Sequence, residues 1–179
     1  MKLERITYLF HTSELNAMLM LTGGSAIPFW QPPTSVDVKA GIASLQQACL
    51  AESNGDVVVL DRISAFLASA VGRCIGCVCL STAEWYYGIL LADGICVLMM
   101  LRKNRWMLTP FQTLEEALEA FEQDLPEMQN SVYLGTKYQQ ETSFSLCEAE
   151  TAQRKALEAA QHLRKLERPT KGRSTTWKQ

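Results

Sequence analysis

The apolar positions between residues 73 and 108 predict a meander of β-strands whose side chains are apolar on both faces. Segments 85–91 and 95–101 contain almost no polar residues, and Ala92-Asp93-Gly94 between them is typical of a hairpin because glycine allows a positive φ. A sheet with one solvated face would alternate apolar and polar residues. Because these strands do not alternate, we expect both faces to be covered, one of them by helices of this chain and the other by further helices, a second copy or a client protein.

Apolar residues at helical spacing predict helices on either side of the meander. The predicted helices span residues 13–21, 36–52, 62–71, 114–125 and 148–167. Asp61 and Thr113 are expected to cap two of them, and Ser53-Asn54-Gly55 is expected to end the second. Residues 131–146 stay ambiguous, with one irregular strand through residues 132–134 as the interpretation.

These elements predict an α+β fold: a central antiparallel β-meander flanked by helices, with a C-terminal helix and a disordered basic tail. With 179 residues, the chain is long enough for one sizeable core. We expect a single domain over residues 1–167 and the tail over residues 168–179. The tail carries four basic residues, Arg168, Lys171, Arg173 and Lys178. Its composition is too polar to fold alone.

Charge and hydropathy exclude several classes of protein. The net charge of −2 gives no support to a general attraction for nucleic acid or an anionic membrane. The first ten residues carry Lys2, Glu4 and Arg5, so no signal peptide is expected, and the apolar tract 88–101 is interrupted and too short for a membrane span. We therefore expect a cytoplasmic protein without a membrane span.

Six cysteines lie in apolar sequence and are expected to be reduced thiols of the core. Cys74 and Cys77 have the spacing of half a zinc site, but a closed site needs four ligands and no second half is present. On a strand, Cys77 and Cys79 would share one face and Cys74 would lie on the other, which is poor geometry for chelation. No metal or other cofactor is predicted.

No catalytic constellation is recognisable. His11 and His162 are the only histidines, and each is expected on the surface because no orienting partner can be assigned. The chain is therefore predicted not to be an enzyme, with an enzyme of unrecognised type as an open alternative.

A transcriptional regulator is a second alternative, because residues 36–71 followed by a hairpin resemble a winged helix. The second helix of that segment offers only Arg62 for reading base edges, so we interpret it as a core helix and predict no binding of nucleic acid. Its expected apolar stripe comprises Ile63, Phe66, Leu67 and Ala70.

The acidic helix 114–125 and its flank allow two interpretations. Six carboxylates occur here without a basic residue between Phe111 and Asn130: Glu115, Glu116, Glu119, Glu122, Asp124 and Glu127. A solvated helix face explains them. Alternatively, they bind a basic surface, for which the chain's own tail is a candidate.

The order of elements in residues 36–125 resembles the EspG-like chaperones of type VII (ESX) secretion systems. The corresponding parts are residues 44–50, residues 60–71, the strands around Ala92-Asp93-Gly94 and the helix 114–125. The resemblance implies a non-enzymatic, ATP-independent cytoplasmic chaperone that holds the helical end of a secreted client protein. Members of that family commonly pair two such halves, and this chain contains one, which suggests a homodimer.

The leading hypothesis is thus a protein-binding scaffold, a chaperone or adaptor for a type VII secretion substrate. Aromatic and methionine side chains dominate many interfaces. The predicted contact residues are Trp85, Tyr87, Met99, Met100 and Trp106.

Overall fold

The computed structural model describes residues 5–24, 26–30 and 38–167, which form an α+β fold. The strands are β1 (Tyr8–His11), β2 (Ala51–Asn54), β3 (Val57–Leu60), β4 (Gly76–Ser81), β5 (Tyr86–Ala92), β6 (Ile95–Arg102), β7 (Arg105–Phe111), β8 (Val132–Tyr138) and β9 (Glu141–Cys147). The helices are α1 (Thr12–Leu21), α2 (Val38–Gln47), α3 (Arg62–Gly72), α4 (Leu114–Gln123), α5 (Ala149–His162) and α6 (Arg164–Glu167).

Seven strands form one antiparallel sheet in the order β1-β7-β6-β5-β4-β8-β9, and β2 and β3 form a separate hairpin. The predicted meander corresponds to β4–β7, which pair with their neighbours in sequence. Gly94 has the expected positive φ of 76° in the first turn. Lys103 and Asn104 form the second turn, both with positive φ, and the strand after it runs on to Phe111.

Both faces of the central strands are covered by helices of the chain itself. In β4, Cys77 and Cys79 lie in one core with α1, α2 and α3, whereas Val78 and Leu80 lie in a second core with α4 and α5. All six residues of β4 and all seven of β5 are buried. The expectation of cover on both faces is confirmed, and of the three covers considered for the second face, the structure shows further helices of this chain.

The segment predicted as the end of a long helix is a hairpin. Helix α2 ends at Gln47, and Asn54-Gly55 lies at the turn between β2 and β3 rather than at a helix stop. Gly55 has a φ of 65°, and such a residue serves a helix end and a tight hairpin equally well. Local sequence therefore could not decide between the two.

Helix α3 begins at the predicted cap, where the Asp61 carboxylate accepts a hydrogen bond from the Ser64 amide at 2.8 Å. The expected apolar stripe is half wrong. Leu67 and Ala70 are buried against α1 and the sheet, but Ile63 and Phe66 are about half exposed, at 47% and 53%. The winged-helix alternative receives no support from this arrangement, because α3 lies on a sheet and its exposed face is largely apolar.

The ambiguous segment 131–146 forms the complete hairpin β8–β9, joined by a turn in which Gln139 has a φ of 58°. The predicted last helix is divided at Leu163 into α5 and the short α6. Leu163 and Leu166 pack over Gly76, where a side chain would collide with both leucines. The C-terminal helices are thereby held against β4.

Helix α4 begins at the predicted cap, where the Thr113 hydroxyl accepts from the Glu116 amide at 3.3 Å. Arg164 donates two hydrogen bonds, of 2.7 and 2.8 Å, to the Glu115 carboxylate, and these lower the pKa of that carboxyl. At the other end of the helix, Arg5 pairs with Asp124 at 3.3 Å. Basic residues of the same chain therefore hold both ends of the acidic helix.

The predicted tail, residues 168–179, lies outside the described residues. Of the helices in the described ranges, none has both the length and the apolar character needed to cross a bilayer.

The contact between α1 and α2 yields a test of the fold. A side chain at Gly41 would collide with the backbone carbonyl of Ser13, which cannot move without disturbing α1. We expect Gly41→Ala to cost about 1–3 kcal/mol, as overpacking usually does. At about 2–4 °C per kcal/mol, a thermal melt resolves this loss.

The exposed Lys39 on the same helix supplies the control. Lys39→Ala should change stability by less than about 0.5 kcal/mol. Equal melting temperatures for the two variants would contradict the close approach of α1 and α2.

Candidate functional site

The strand β9 is the most exposed element of the large sheet. It pairs with β8 on one side, and no strand of the described residues pairs with its other side. Edge strands are commonly protected by lysine, proline, a bulge or short length. β9 is seven residues long, contains neither lysine nor proline, and carries Glu141 as its one charge. Its outer edge therefore offers unpaired backbone groups to another chain.

Apolar side chains extend from this edge on the face that also carries α1–α3. Phe144 is 49% exposed and Leu146 is 59% exposed. The Phe144 ring stacks on Tyr133 of β8, with ring centroids 5.0 Å apart, and on Phe29, with centroids 5.6 Å apart. Three nearly parallel rings thus form an aromatic surface beside the open edge.

This surface continues into a cleft of about 600 Å³, here termed the aromatic cleft. The cleft is lined by Phe29, Trp30, Ser81, Thr82, Ala83, Tyr133 and Phe144. None of these side chains is charged. The cleft therefore suits apolar or neutral groups rather than an ion.

A glycine explains why an aromatic ring lies flat on the sheet here. A side chain at Gly135 would approach the Phe29 ring to 2.6 Å and the Cys79 sulfur to 2.9 Å. Phe29 itself has a φ of 58°, a conformation that bulky residues seldom adopt and that costs about 1–3 kcal/mol. This conformation places the Phe29 ring on Gly135, where it forms part of the aromatic lining of the cleft.

Trp30 connects the cleft to the interior. Its ring meets the buried Trp106 edge-on with centroids 5.2 Å apart, and Trp106 in turn contacts Tyr86 at 5.3 Å. The Trp106 indole nitrogen and the Tyr86 hydroxyl are buried without a hydrogen-bond partner among the described residues. Burial raises the pKa of Tyr86 well above its ordinary value, so its phenol stays neutral.

The five predicted contact residues separate into two groups. Tyr87, Met99 and Trp106 are fully buried in the two cores, so they offer no surface to a partner in this fold. Their strands are apolar on both faces, and such a sequence pattern does not distinguish inner from outer positions. Trp85 and Met100 are partly exposed.

Trp85 and Met100 line a second groove of about 340 Å³, here termed the Trp85 groove. It lies beyond the C-terminal end of α4, on the sheet face opposite the aromatic cleft. Its other lining residues include Glu84, Arg102, Lys103, Pro126 and Glu127.

The three clustered thiols lie on one side of the sheet. Cys74 joins the core that contains Cys77 and Cys79, which corrects the prediction that it points to the other face. It precedes β4, so strand alternation does not govern its direction. A hydrogen bond from Cys77 lowers the pKa of Cys74, while burial raises the pKa of Cys79 to about 12.

No group of three or more His, Cys, Asp and Glu side chains within the described ranges is placed to hold a metal ion. His11 at the start of α1 and His162 at the end of α5 are exposed, as predicted. The absence of catalysis stays a prediction.

Comparison with models of known protein families finds none that matches this chain, and comparison with curated proteins finds no match either. The resemblance to EspG-like chaperones therefore stays a prediction from the sequence.

One pattern in the sequence indicates the strand that carries Phe144 of the cleft. In Ser143-Phe144-Ser145-Leu146, polar and apolar residues alternate, which indicates a strand with one apolar face. Phe29, which stacks on Phe144, lies in no such pattern, because it belongs to an irregular segment next to Pro28.

The thiol cluster yields a prediction about metal content. We expect protein purified without chelator to contain no stoichiometric zinc, since Cys74, Cys77 and Cys79 lack a fourth ligand. Elemental analysis of the wild type, Cys77→Ser and the exposed-thiol control Cys49→Ser measures this. One zinc per chain that is lost only in Cys77→Ser would contradict the assignment of these thiols to the core.

Proposed function

We propose that this chain is a non-enzymatic protein-binding scaffold that takes up an apolar segment of a client protein at the β8–β9 hairpin. The observation that carries the proposal is the open edge of β9 beside the aromatic cleft. The edge can bind the backbone of a client segment, and the adjacent cleft can bind its side chains.

The edge would bind by strand addition, in which main-chain hydrogen bonds give affinity and alternate side chains give specificity. The turn after β8 has two residues, so Tyr138 and Glu141 form a hydrogen-bonded pair. Along β9, Thr142, Phe144 and Leu146 then direct their amide groups outward. A client strand in register with them would place every second side chain toward the aromatic cleft.

The aromatic cleft would supply most of the binding energy. Partly exposed aromatic rings are frequent hot spots, and truncating one commonly costs about 2 kcal/mol of binding. Because Phe144 already stacks on Tyr133 and Phe29, its ring loses little conformational freedom when a client binds. The absence of charge in the cleft supports an apolar client segment.

The EspG-like resemblance supplies the narrower form of the proposal: a cytoplasmic chaperone or adaptor whose client is a type VII secretion substrate. Family chaperones of that kind hold a helical part of the client, whereas β9 favours an extended one. Two copies could also pair through β9, and a homodimer of this kind would compete with the client for the same edge.

Peptides selected from a random library against the wild-type chain provide the ligands for the test. We expect Phe144→Ser to weaken their binding about tenfold or more in fluorescence anisotropy, because the central ring of the stack is removed. Phe66→Ser is the matched control, since Phe66 is an equally exposed phenylalanine on α3. It should stay within about twofold of the wild type.

A backbone variant separates strand addition from simple apolar contact. Thr142→Pro removes one outward amide, while Thr142→Ala keeps it. Stronger loss in the proline variant supports strand addition. Equal binding by Phe144→Ser and Phe66→Ser would overturn the proposed site.

A further inference from the structure

Four carboxylates on and beside α4 have no ion-pair partner within the described ranges. The two ends of the acidic stretch are held, by Arg164 at Glu115 and by Arg5 at Asp124. The remaining acidic residues are all exposed and form no ion pair with another described residue: Glu116, Glu119, Glu122 and Glu127. Such a concentration of uncompensated negative charge on and beside one helix attracts a basic segment.

The acidic face leads directly to the Trp85 groove. Gln153, near the start of α5, contacts the Pro126 carbonyl, and Arg164 after its end contacts Glu115. Helices α4 and α5 therefore run antiparallel, so that α6 lies near the start of α4 while the groove lies past its end. Trp85, Met100 and Pro126 give the groove an apolar wall, and Glu84 and Glu127 add negative charge.

The segment of residues 168–179 has the complementary chemistry. It carries four basic residues against the four uncompensated carboxylates, it contains no acidic residue, and it includes one aromatic side chain, Trp177. It directly follows α6, whose first residue, Arg164, is already bound to the acidic helix. Charge and connectivity therefore point to the same surface.

The segment is long enough to reach the groove. The ten residues of α4 span about 15 Å at 1.5 Å per residue. The ten residues 168–177 extend over roughly 33 Å at most, at about 3.3 Å per residue. The extended segment is thus about twice as long as α4, so it can follow the helix from α6 to the groove.

We infer that residues 168–179 bind along the exposed face of α4 in the same chain, with their basic residues on its free carboxylates and Trp177 in the Trp85 groove. Arg102 and Lys103, which also line the groove, repel the basic residues and favour seating of the indole there rather than an ammonium group. This inference goes beyond the proposed function and does not rest on it, because the aromatic cleft lies on the other face of the sheet.

Zero-length cross-linking of the full chain tests the charge contact. A carbodiimide joins a lysine amine to a carboxylate only where the two are in contact. We expect amide links from Lys171 or Lys178 to Glu116, Glu119, Glu122 or Glu127, identified by mass spectrometry of the monomer. Their yield should fall several-fold from 0.05 M to 1 M salt, because the screening length shortens to about 3 Å at 1 M.

A variant with glutamine at the four free carboxylates cannot form these links. The measurement is then whether Lys171 and Lys178 become linked to any other carboxylate. We expect them to stay unlinked in that variant. The control replaces exposed acids elsewhere by amides, at Glu52, Asp56, Glu141 and Glu150, and should leave the links unchanged. Links scattered over all exposed acids would overturn the inference, as would links found only in covalent dimers, which would assign the segment to a second copy.

The Met100 methyl group reports on the groove independently. In full-length protein with labelled methionine methyls, an indole seated beside Met100 shifts its resonance by ring current. Trp177→Ala and 1 M salt should each move that resonance, while Met18 in the opposite core stays fixed. Trp177→Phe should retain part of the shift. If the chemical shift of the Met100 methyl group is the same in the wild type and in Trp177→Ala, Trp177 does not lie in the groove.

Discussion

The structure depends on one constraint, which is that the central strands are apolar on both faces and must be covered on both. Burying one large apolar side chain contributes about 1.5–3 kcal/mol, so leaving either face of β4–β7 in water would be prohibitive. Helices α1–α3 cover one face and α4–α5 the other. The sheet thus separates two cores, and the buried faces of the helices pack on these cores.

The cover is weakest at β9, and this explains the position of the aromatic cleft. Helix α5 packs on β4 and β8, and α3 packs on β5 and β6. On the α1–α3 face, β8 and β9 are met by the segment that contains Phe29, which packs on Gly135 and Phe144. The cleft lies where the helices leave the sheet uncovered, because they pack on other strands. The lining of the aromatic cleft is uncharged, whereas the Trp85 groove carries both acidic and basic side chains, so the two sheet faces differ in chemistry.

Most of the fold was predictable, because local interactions encode it. The two hairpin turns, the caps at Asp61 and Thr113 and the fold class follow from residues close together in sequence. The β2–β3 hairpin was missed because Asn-Gly sequences end helices and join strands alike. The β8–β9 hairpin was missed because its turn, Gln139-Gln140, contains neither glycine nor asparagine to mark it.

The candidate site was less predictable for a different physical reason. A strand that is apolar on both faces gives no alternation from which inner and outer positions could be separated, so Tyr87 and Met100 looked equivalent although only Met100 is accessible. The aromatic cleft in turn requires Phe29 and Phe144 to meet across most of the chain. Only the tertiary pairing of β8 with β4 brings them together.

The order of strand pairing has a consequence for how the protein folds. Strands β4–β7 pair with sequence neighbours, and contacts of short sequence separation form fastest. The edges form later, because β1 pairs with β7 and β8 pairs with β4 across long stretches of intervening chain. The aromatic cleft, built from an N-terminal loop and a C-terminal hairpin, is complete only after both edges have closed. A nascent or partly unfolded chain would therefore present the meander without the cleft, and a complete cleft would mark a chain in which both edges of the sheet have formed.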